Sequence, residues 1–416
     1  MKLTGKILII SFYFPPFPRV GGRRWAKYLK YLTKQGVDFK VLAGYFKEFE
    51  KENIKNDDIV TYKKDISWIK AKIKYPLFKR KLPIGVFEKI VWKLSYFFWL
   101  FLGKQIKRNF WDDSYGYADK FYSSAKRIIK EDGIKCLVIT IGPFIYSECL
   151  IELRKDFPQL KIIVDIRDYW NDPHLNRNNP HEIMAEKNVL SSADKIFVVN
   201  EEMKKYFSIN FKKPIFVLPH CLDFDDYAVL DKATSQKKYV LVVDKIQFIY
   251  GGTLYPEMEE EVNTFLACLK KMESHTDTFI YTNEQAYTKH FKSFSNNNIE
   301  ILNPLSQERY FLELNKSDFI LVFRPHWTPN AFSTKFYELL YFRKPILYFG
   351  PKGDVSDFII NNRLGFHVTL EWLSGFEIGQ DLIKAISPDL INTKFDLSKY
   401  TFEYWTKELV KELQNI

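Results

Sequence analysis

In the stretch FILVFRPHWTPNAFSTKFYELLYFRKPILYFG, Lys335 and Glu338 stand three residues apart, directly after Ser333 and Thr334. A Ser or Thr at that point caps a helix, and the unpaired N–H groups of the first turn can hold a phosphate. An ammonium suits a phosphate oxygen, and a carboxylate can accept two hydroxyl protons from a ribose. The same spacing also fits a surface ion pair worth a few tenths of a kcal/mol.

Two further constellations carry charge at the ends of apolar runs. KIIVDIRDYWNDPH leads to Asp165, Ile166, Arg167 and Asp168. On a strand, Asp165 and Arg167 share one side and Asp168 begins the loop. Charge there is costly unless paired or used, so the choice is between a structural Arg–Asp pair and a site. In FYFPPFPRVGGRRWAKYLKYL a strand ends at Phe14 and Gly21-Gly22 opens a helix. Glycine lets backbone approach a ligand closely, and the helix N-terminus offers N–H groups to an anion. Arg19, Arg23 and Arg24 add positive charge. The plainer reading is a tight βα turn with solvated arginines. Neither GxGxxG nor GxxxxGK(S/T) occurs, so no dinucleotide or Walker fingerprint is available. His174 and His181 are too far apart and too near proline to suggest a metal site.

Such groups need strands that end beside one another. Apolar runs at 6–14, 39–44, 136–142, 161–167, 195–200 and 215–220 read as strands. Helices are expected from Arg24 to Gln35, Tyr117 to Asp132, Ile145 to Phe157 and Glu182 to Ser192. The alternation resumes with strands near 239–250, 278–283, 299–302, 318–323, 345–349 and 366–368. It predicts two doubly wound α/β domains of similar size, joined through the polar segment DKATSQKK (231–238). Ligands then bind at the carboxyl ends of the strands, with a cleft between the domains as the default site.

Length and composition agree. The chain has 416 residues, 46% apolar and 27% charged, which excludes a disordered or collagen-like chain and exceeds one ordinary domain. Cys136, Cys149, Cys221 and Cys268 are widely spaced and form no CxxC, so neither a disulfide scaffold nor a cysteine zinc site is expected. The N-terminal apolar run reads as a first strand and not a signal peptide, and the chain as cytoplasmic. Sixty-two Lys and Arg against fifty-one Asp and Glu leave a net charge of +11, which favours anionic partners. From Lys63 to Arg108 thirteen Lys or Arg face only Asp65 and Glu88, among ten aromatics. Its most apolar piece, Ser95 to Gly103, is nine residues long, too short to span a bilayer but able to lie on one. Aromatics at helical spacing are also consistent with an internal core. No RNP, helix-turn-helix or zinc pattern accompanies the basic stretch, so nucleic acid is not expected as a partner.

Seven segments, in order, resemble the GT-B-fold glycosyltransferases, in the family 4-like group acting on bacterial surface polysaccharides. They are YFPPFPRVGGRRWAKYLKYLTKQG, GIKCLVITIGPFIYS (with Phe144 for a second proline), VDIRDYWND, VLSSADKIFVVNEEM, VLPHCLDFDDY, FIYGGTL and STKFYELLYFRKPIL. The basic aromatic insert at about 50–115 matches least. The resemblance implies an α/β GT-B fold, two Rossmann-like doubly wound domains facing across a cleft. The N-terminal, acceptor-side domain would span 1–230 and the nucleotide-sugar-binding domain 239–395, with a helix in 396–416 crossing back to the first.

By the same resemblance, Glu338 grips the donor ribose, and Ser333, Thr334 and Lys335 lie beside the diphosphate. Gly21 and Gly22 face the distal phosphate, Asn303 to Leu305 lie against the base, and Arg167 and Asp168 lie near the transferred sugar as catalytic candidates. The expected activity is a retaining, metal-independent transfer from a nucleotide-sugar co-substrate to a saccharide or polyprenyl-diphosphate-linked acceptor. No further cofactor is implied, and residues 63–111 would meet an anionic membrane surface at the inner face of the plasma membrane. Asp223-Phe224-Asp225 spells DxD but follows VLPHCL at a domain end, which fits GT-B and not a metal loop. Three departures stand out. Asn330, not a glutamate, lies eight before Glu338; Leu254, Tyr255, Pro256 and Glu257 follow Gly251-Gly252-Thr253 where relatives offer an Arg and a Lys; and Pro219-His220-Cys221 replaces Pro-Asn-Gly. The cation must then come from elsewhere, with Arg324 and Lys335 as the candidates. The alternatives are a non-catalytic GT-B-like binding protein and a sugar-nucleotide epimerase.

Overall fold

Runs of Ile, Leu and Val without polar alternation form strands buried on both faces, as parallel sheets require. β1 (Ile7–Ser11) and β4 (Cys136–Ile141) are buried at every residue. The computed structural model describes residues 5–15, 20–44, 59–62, 112–171, 179–233, 246–255, 257–272, 276–283, 298–377, 386 and 390–414. Arg19 and the basic aromatic stretch 63–111 lie outside them. The chain divides into two compact units, Met1–Pro219 with Thr406–Ile416, and His220–Trp405.

The first unit holds a seven-stranded sheet in the order β3-β2-β1-β4-β5-β6-β7. The remaining strands are β2 (Phe39–Gly44), β3 (Ile59–Tyr62), β5 (Lys161–Ile166), β6 (Lys195–Val198) and β7 (Ile215–Val217), and every pairing is parallel. Leu8, Ile10, Leu137, Ile139, Ile162 and Val164 share one core with Phe121 and Leu150 of the covering helices. β3 is the strand that the sequence pattern does not mark: four residues, IVTY, followed by Lys63-Lys64. In the last helix, Phe402–Gln414, Glu412 accepts from Lys195 Nζ at 2.8 Å.

Helix α1 (Val20–Lys34) buries Trp25, Tyr28, Leu29 and Leu32, the i, i+3, i+4, i+7 stripe of an amphipathic helix. The same face carries Arg24, which is only 2% exposed. Its Nη1 lies 2.5 Å from Oδ2 of Asp165, a residue with no exposure at all, and Trp25 Nε1 donates to the same oxygen at 2.8 Å. Arg24 Nη2 donates to the Leu218 carbonyl, and Tyr28 Oη to that of Pro219 at 2.9 Å. Arg24 and Asp165 are therefore the structural pair. Arg24 does not lend charge to a ligand site.

The second unit repeats the plan with six parallel strands in the order β10-β9-β8-β11-β12-β13. These are β8 (Ile246–Gly251), β9 (Thr276–Tyr281), β10 (Asn298–Leu302), β11 (Phe319–Phe323), β12 (Ile346–Phe349) and β13 (Gly365–His367). Asp223 is 1% exposed, and its Oδ1 accepts from Asp225 N at 3.2 Å, so the DxD sequence caps a short 3-10 turn. All four cysteines are buried free thiols. Among the described residues no helix is long and apolar enough to cross a membrane.

Removing one member of a buried ion pair leaves the other charge uncompensated. Arg24→Ala should cost about 3–5 kcal/mol in denaturant unfolding. A loss below about 1 kcal/mol, the range of a surface pair, would show that the pair does not hold α1 on the sheet.

Candidate functional site

Both sheets reverse their winding next to a first strand, between β1 and β4 in one unit and between β8 and β11 in the other. Crevices open at the carboxyl ends of strands flanking such points. The residues singled out from sequence fall at those ends in each unit.

In the first unit, a Cβ on Gly22 would lie 2.9 Å from Phe14 Cα and from the Tyr13 carbonyl oxygen, so only glycine lets α1 start this close to the chain leaving β1. A Cβ on Gly21 would lie 2.2 Å from Arg167 Nη1. The guanidinium rests on the helix N-terminus, and its Nη2 donates to the Gly142 carbonyl. Arg167 Nε is buried and has no hydrogen-bond partner. Asp168 is exposed, and a Cβ on Gly142 would lie 3.5 Å from its Oδ2. Gly21, Arg167 and Asp168 are thus neighbours. The positive end of α1 and the guanidinium together favour an anion, and the carboxylate can accept from a hydroxyl.

The loop beyond Asp168 is anchored to the helix Pro180–Ser191. Trp170 Nε1 donates to Glu182 and Asn171 Nδ2 to Glu186, each at 2.7 Å. Trp170 also stacks on Phe144, with ring centroids 5.3 Å apart. Glu186 is buried, and desolvation pushes its carboxyl up to about 7 against the pull of Asn171.

In the second unit, Ser333 caps the helix Thr334–Leu340 by accepting from Phe336 N at 3.2 Å, so its hydroxyl is committed. Lys335 Nζ donates to the Gly251 carbonyl at 3.0 Å, at the end of β8. The i, i+3 ion pair with Glu338 that the spacing allowed is not what forms. Lys335 is exposed as a residue, yet its ammonium end loses enough hydration on the β8 terminus to lower its pKa, with Glu338 opposing the shift through space. Glu338 Oε1 accepts from Gln307 Nε2 at 3.2 Å, and its backbone carbonyl from Tyr227 Oη at 2.9 Å.

Gln307 joins Glu338 to the loop expected to face a base. There Asn303 is exposed, while Leu305 is half-buried against the core. A Cβ on Gly251 would lie 2.3 Å from the Tyr310 ring, which fixes glycine at the end of β8. Arg324 follows β11, and its backbone N donates to the Phe349 carbonyl at 2.9 Å. Its guanidinium has no hydrogen-bond or ion-pair partner among the described residues. Tyr250, Tyr255 and Tyr348 are its electrostatic neighbours.

Gln307, Tyr310 and Tyr227 escaped the sequence reading. Gln307 carried one signal, its place in the first turn after the Ser306 cap. Asn330 Oδ1 accepts from Asp354 N at 3.0 Å, at the start of the helix Asp354–Asn361. Among the described residues no group of three or more His, Cys, Asp or Glu could hold a metal ion.

No family model and no curated protein matches the sequence. Solved structures do. Sucrose-phosphate synthase from Thermosynechococcus elongatus aligns with a TM-score of 0.63 at 12% identity, over 99% of this chain and 98% of that one. The E. coli trehalose-6-phosphate protein bound with UDP-2-fluoro glucose gives 0.61 at 12%, over 99% of both chains. The lipopolysaccharide outer core galactosyltransferase WaaB gives 0.57 at 12%, again over 99% of both. UDP-GlcNAc 2-epimerase from Neisseria meningitidis, bound to UDP-GlcNAc, gives 0.53 at 13%, over 99% of this chain and 100% of that one. The fold is GT-B, an α/β architecture of two Rossmann-like units.

The raised Glu186 carboxyl has a stability consequence. Between its ordinary value of 4.5 and about 7 the folded protein binds a proton that the unfolded chain has released, so stability falls as pH rises through that window. In urea unfolding at pH 5 and pH 8, Glu186→Gln should gain about 2–3 kcal/mol on the wild type at the higher pH. Equal pH dependence in the two proteins would rule the burial penalty out.

Proposed function

We propose that the protein is a glycosyltransferase that moves a sugar from a nucleotide-sugar donor to a saccharide acceptor, lipid-linked, in surface polysaccharide synthesis. The observation that carries this reading is the pair Lys335 and Glu338. They stand one helical turn apart at the carboxyl edge of the second sheet, the ammonium on the β8 terminus and the carboxylate held by Gln307.

In this reading Glu338 accepts from the ribose hydroxyls and Asn303 to Leu305 lie beside the base. Arg324, Lys335 and the backbone N–H groups near Ser333 and Thr334 take diphosphate charge. Gly21 and Gly22 are assigned to the distal phosphate, Arg167 and Asp168 to the region of the transferred sugar as catalytic candidates, with Asp168 orienting a hydroxyl of the sugar or acceptor. As the bond from C1 to the diphosphate breaks, negative charge grows on the leaving oxygen, and fixed cations stabilise that change without reorganising. The acceptor oxygen then bonds to C1 on the face that the diphosphate leaves, and its proton passes to the departing diphosphate oxygen. Transfer without a metal accords with this donor set, because the cations supply the compensating charge; retention follows if the acceptor enters on the face that the leaving group vacates. The basic, aromatic composition of 63–111 suits an anionic membrane surface carrying a lipid-linked acceptor.

The likeness to a 2-epimerase favours a second reading, inversion of a sugar carbon on the nucleotide. An epimerase releases a changed sugar nucleotide with no acceptor present, whereas a transferase does not.

Thermal denaturation with UDP, GDP, CDP, ADP, dTDP and their sugars tests the donor site. The matching nucleotide, at a hundred times its dissociation constant, should add about 2.7 kcal/mol. Glu338→Ala should fold and lose that gain. An equal shift in the variant removes Glu338 from the site, and no shift with any nucleotide overturns the donor reading.

A further inference from the structure

Gln307 is the first residue of the helix Gln307–Lys316, directly after the Ser306 cap and two residues past Leu305. It is half-buried, as is Glu338, and its Nε2 donates to Glu338 Oε1 at 3.2 Å. A carboxylate only accepts, so the nitrogen side of the amide must face it. The last torsion of a glutamate is broad, and a bond to one of its oxygens is what fixes the plane of the carboxylate.

The two helices that carry this bond are held against each other by rings. Tyr227 stacks on Phe311, four residues beyond Gln307, with centroids 4.7 Å apart and planes 6° apart. Its other stacking partner is Tyr341, three residues beyond Glu338, at 3.6 Å and 10°. The same tyrosine donates its hydroxyl to the Glu338 carbonyl at 2.9 Å. Backbone and side chain of Glu338 are thus both located from outside its own helix. Tyr310, on the Gln307 helix, fills the space beside Gly251, whose carbonyl receives Lys335.

The residue type matters. A Lys or Arg at 307 would cancel the charge of Glu338, whereas an amide directs the carboxylate and leaves its charge in place. Without a donor there, the cation three residues earlier on the same helix, Lys335, draws the carboxylate back along its own helix face.

We propose that Gln307 is a positioning residue of the donor site, holding the Glu338 carboxylate in the plane that meets both ribose hydroxyls, so that the protein takes ribonucleoside diphosphate sugars and rejects their deoxyribose counterparts. The assignment rests on the donor reading above. A site arranged to bond a hydroxyl is left with an unpaired polar group when that hydroxyl is missing, which is how such sites discriminate.

Calorimetric titration tests it with the ribonucleoside diphosphate that stabilises the protein and with its 2′-deoxy and 3′-deoxy forms. The wild type should bind the ribose compound at least about tenfold more tightly than either deoxy compound. In Gln307→Met, which keeps the length of the side chain and removes the donor, the ratio should fall to about twofold or less. Gln307→Glu, which sets acceptor against acceptor, should do the same. Equal affinity for ribose and deoxyribose compounds in the wild type overturns the proposal while leaving the donor site standing, and so does stabilisation by dTDP alone. An unchanged ratio in both variants overturns it as well, including the case in which all three ligands weaken together, the mark of a merely structural amide. Binding of none of the three by the wild type fails the donor reading itself and the proposal with it.

Discussion

A carboxyl sealed inside a parallel sheet is costly unless it is paired or hydrogen-bonded, and the first unit is arranged around such a pairing. Asp165 has no exposure, and Arg24 and Trp25 both reach its Oδ2. To deliver them, α1 has to lie with one particular face on the sheet, and the nitrogen left over on Arg24 then ties down Leu218. Three helix residues back is Gly21, two strand positions on is Arg167, and the two meet. The rises are comparable, about 4.5 Å and 6.7 Å. The buried pair therefore sets the register that presents Arg167 at the open edge. Its contribution to net stability is secondary, since a well-packed apolar pair could do as well. Its contribution to placement is not replaceable in that way.

In the second unit Lys335 and Glu338 each have a hydrogen bond to an uncharged group. Glu338 is met by an amide and Lys335 by a carbonyl, so neither charge is cancelled by the other. Had the two closed on each other as an ion pair, each would have been taken from any ligand. Tyr310 contributes by occupying the space that a side chain on Gly251 would need, which keeps the β8 end narrow and bare.

Most of this architecture could be read from local pattern. Twelve of the thirteen strands begin or end within a few residues of apolar runs, because strands of a buried parallel sheet advertise themselves by unbroken hydrophobicity. β3 lacked that signature. Placement was legible where it is local: Ser333 caps its helix and Gly22 lets α1 start against Phe14, as the residue types suggested. It was not legible where a contact spans the chain. Arg24 to Asp165 crosses 141 positions, and the sequence showed several arginines with no means of saying which one would be buried. Gln307 reaching Glu338 is of the same kind.

The segment after Gly251-Gly252 provides no cation, but one reaches that point from elsewhere in the chain. Lys335 brings its ammonium to the Gly251 carbonyl from the opposite direction in sequence. Arg324 stands among Tyr250, Tyr255 and Tyr348 with no carboxylate on it, and desolvation works against its charge there. A guanidinium does not release its proton to escape that penalty, so among the described residues only the nearby tyrosines oppose it.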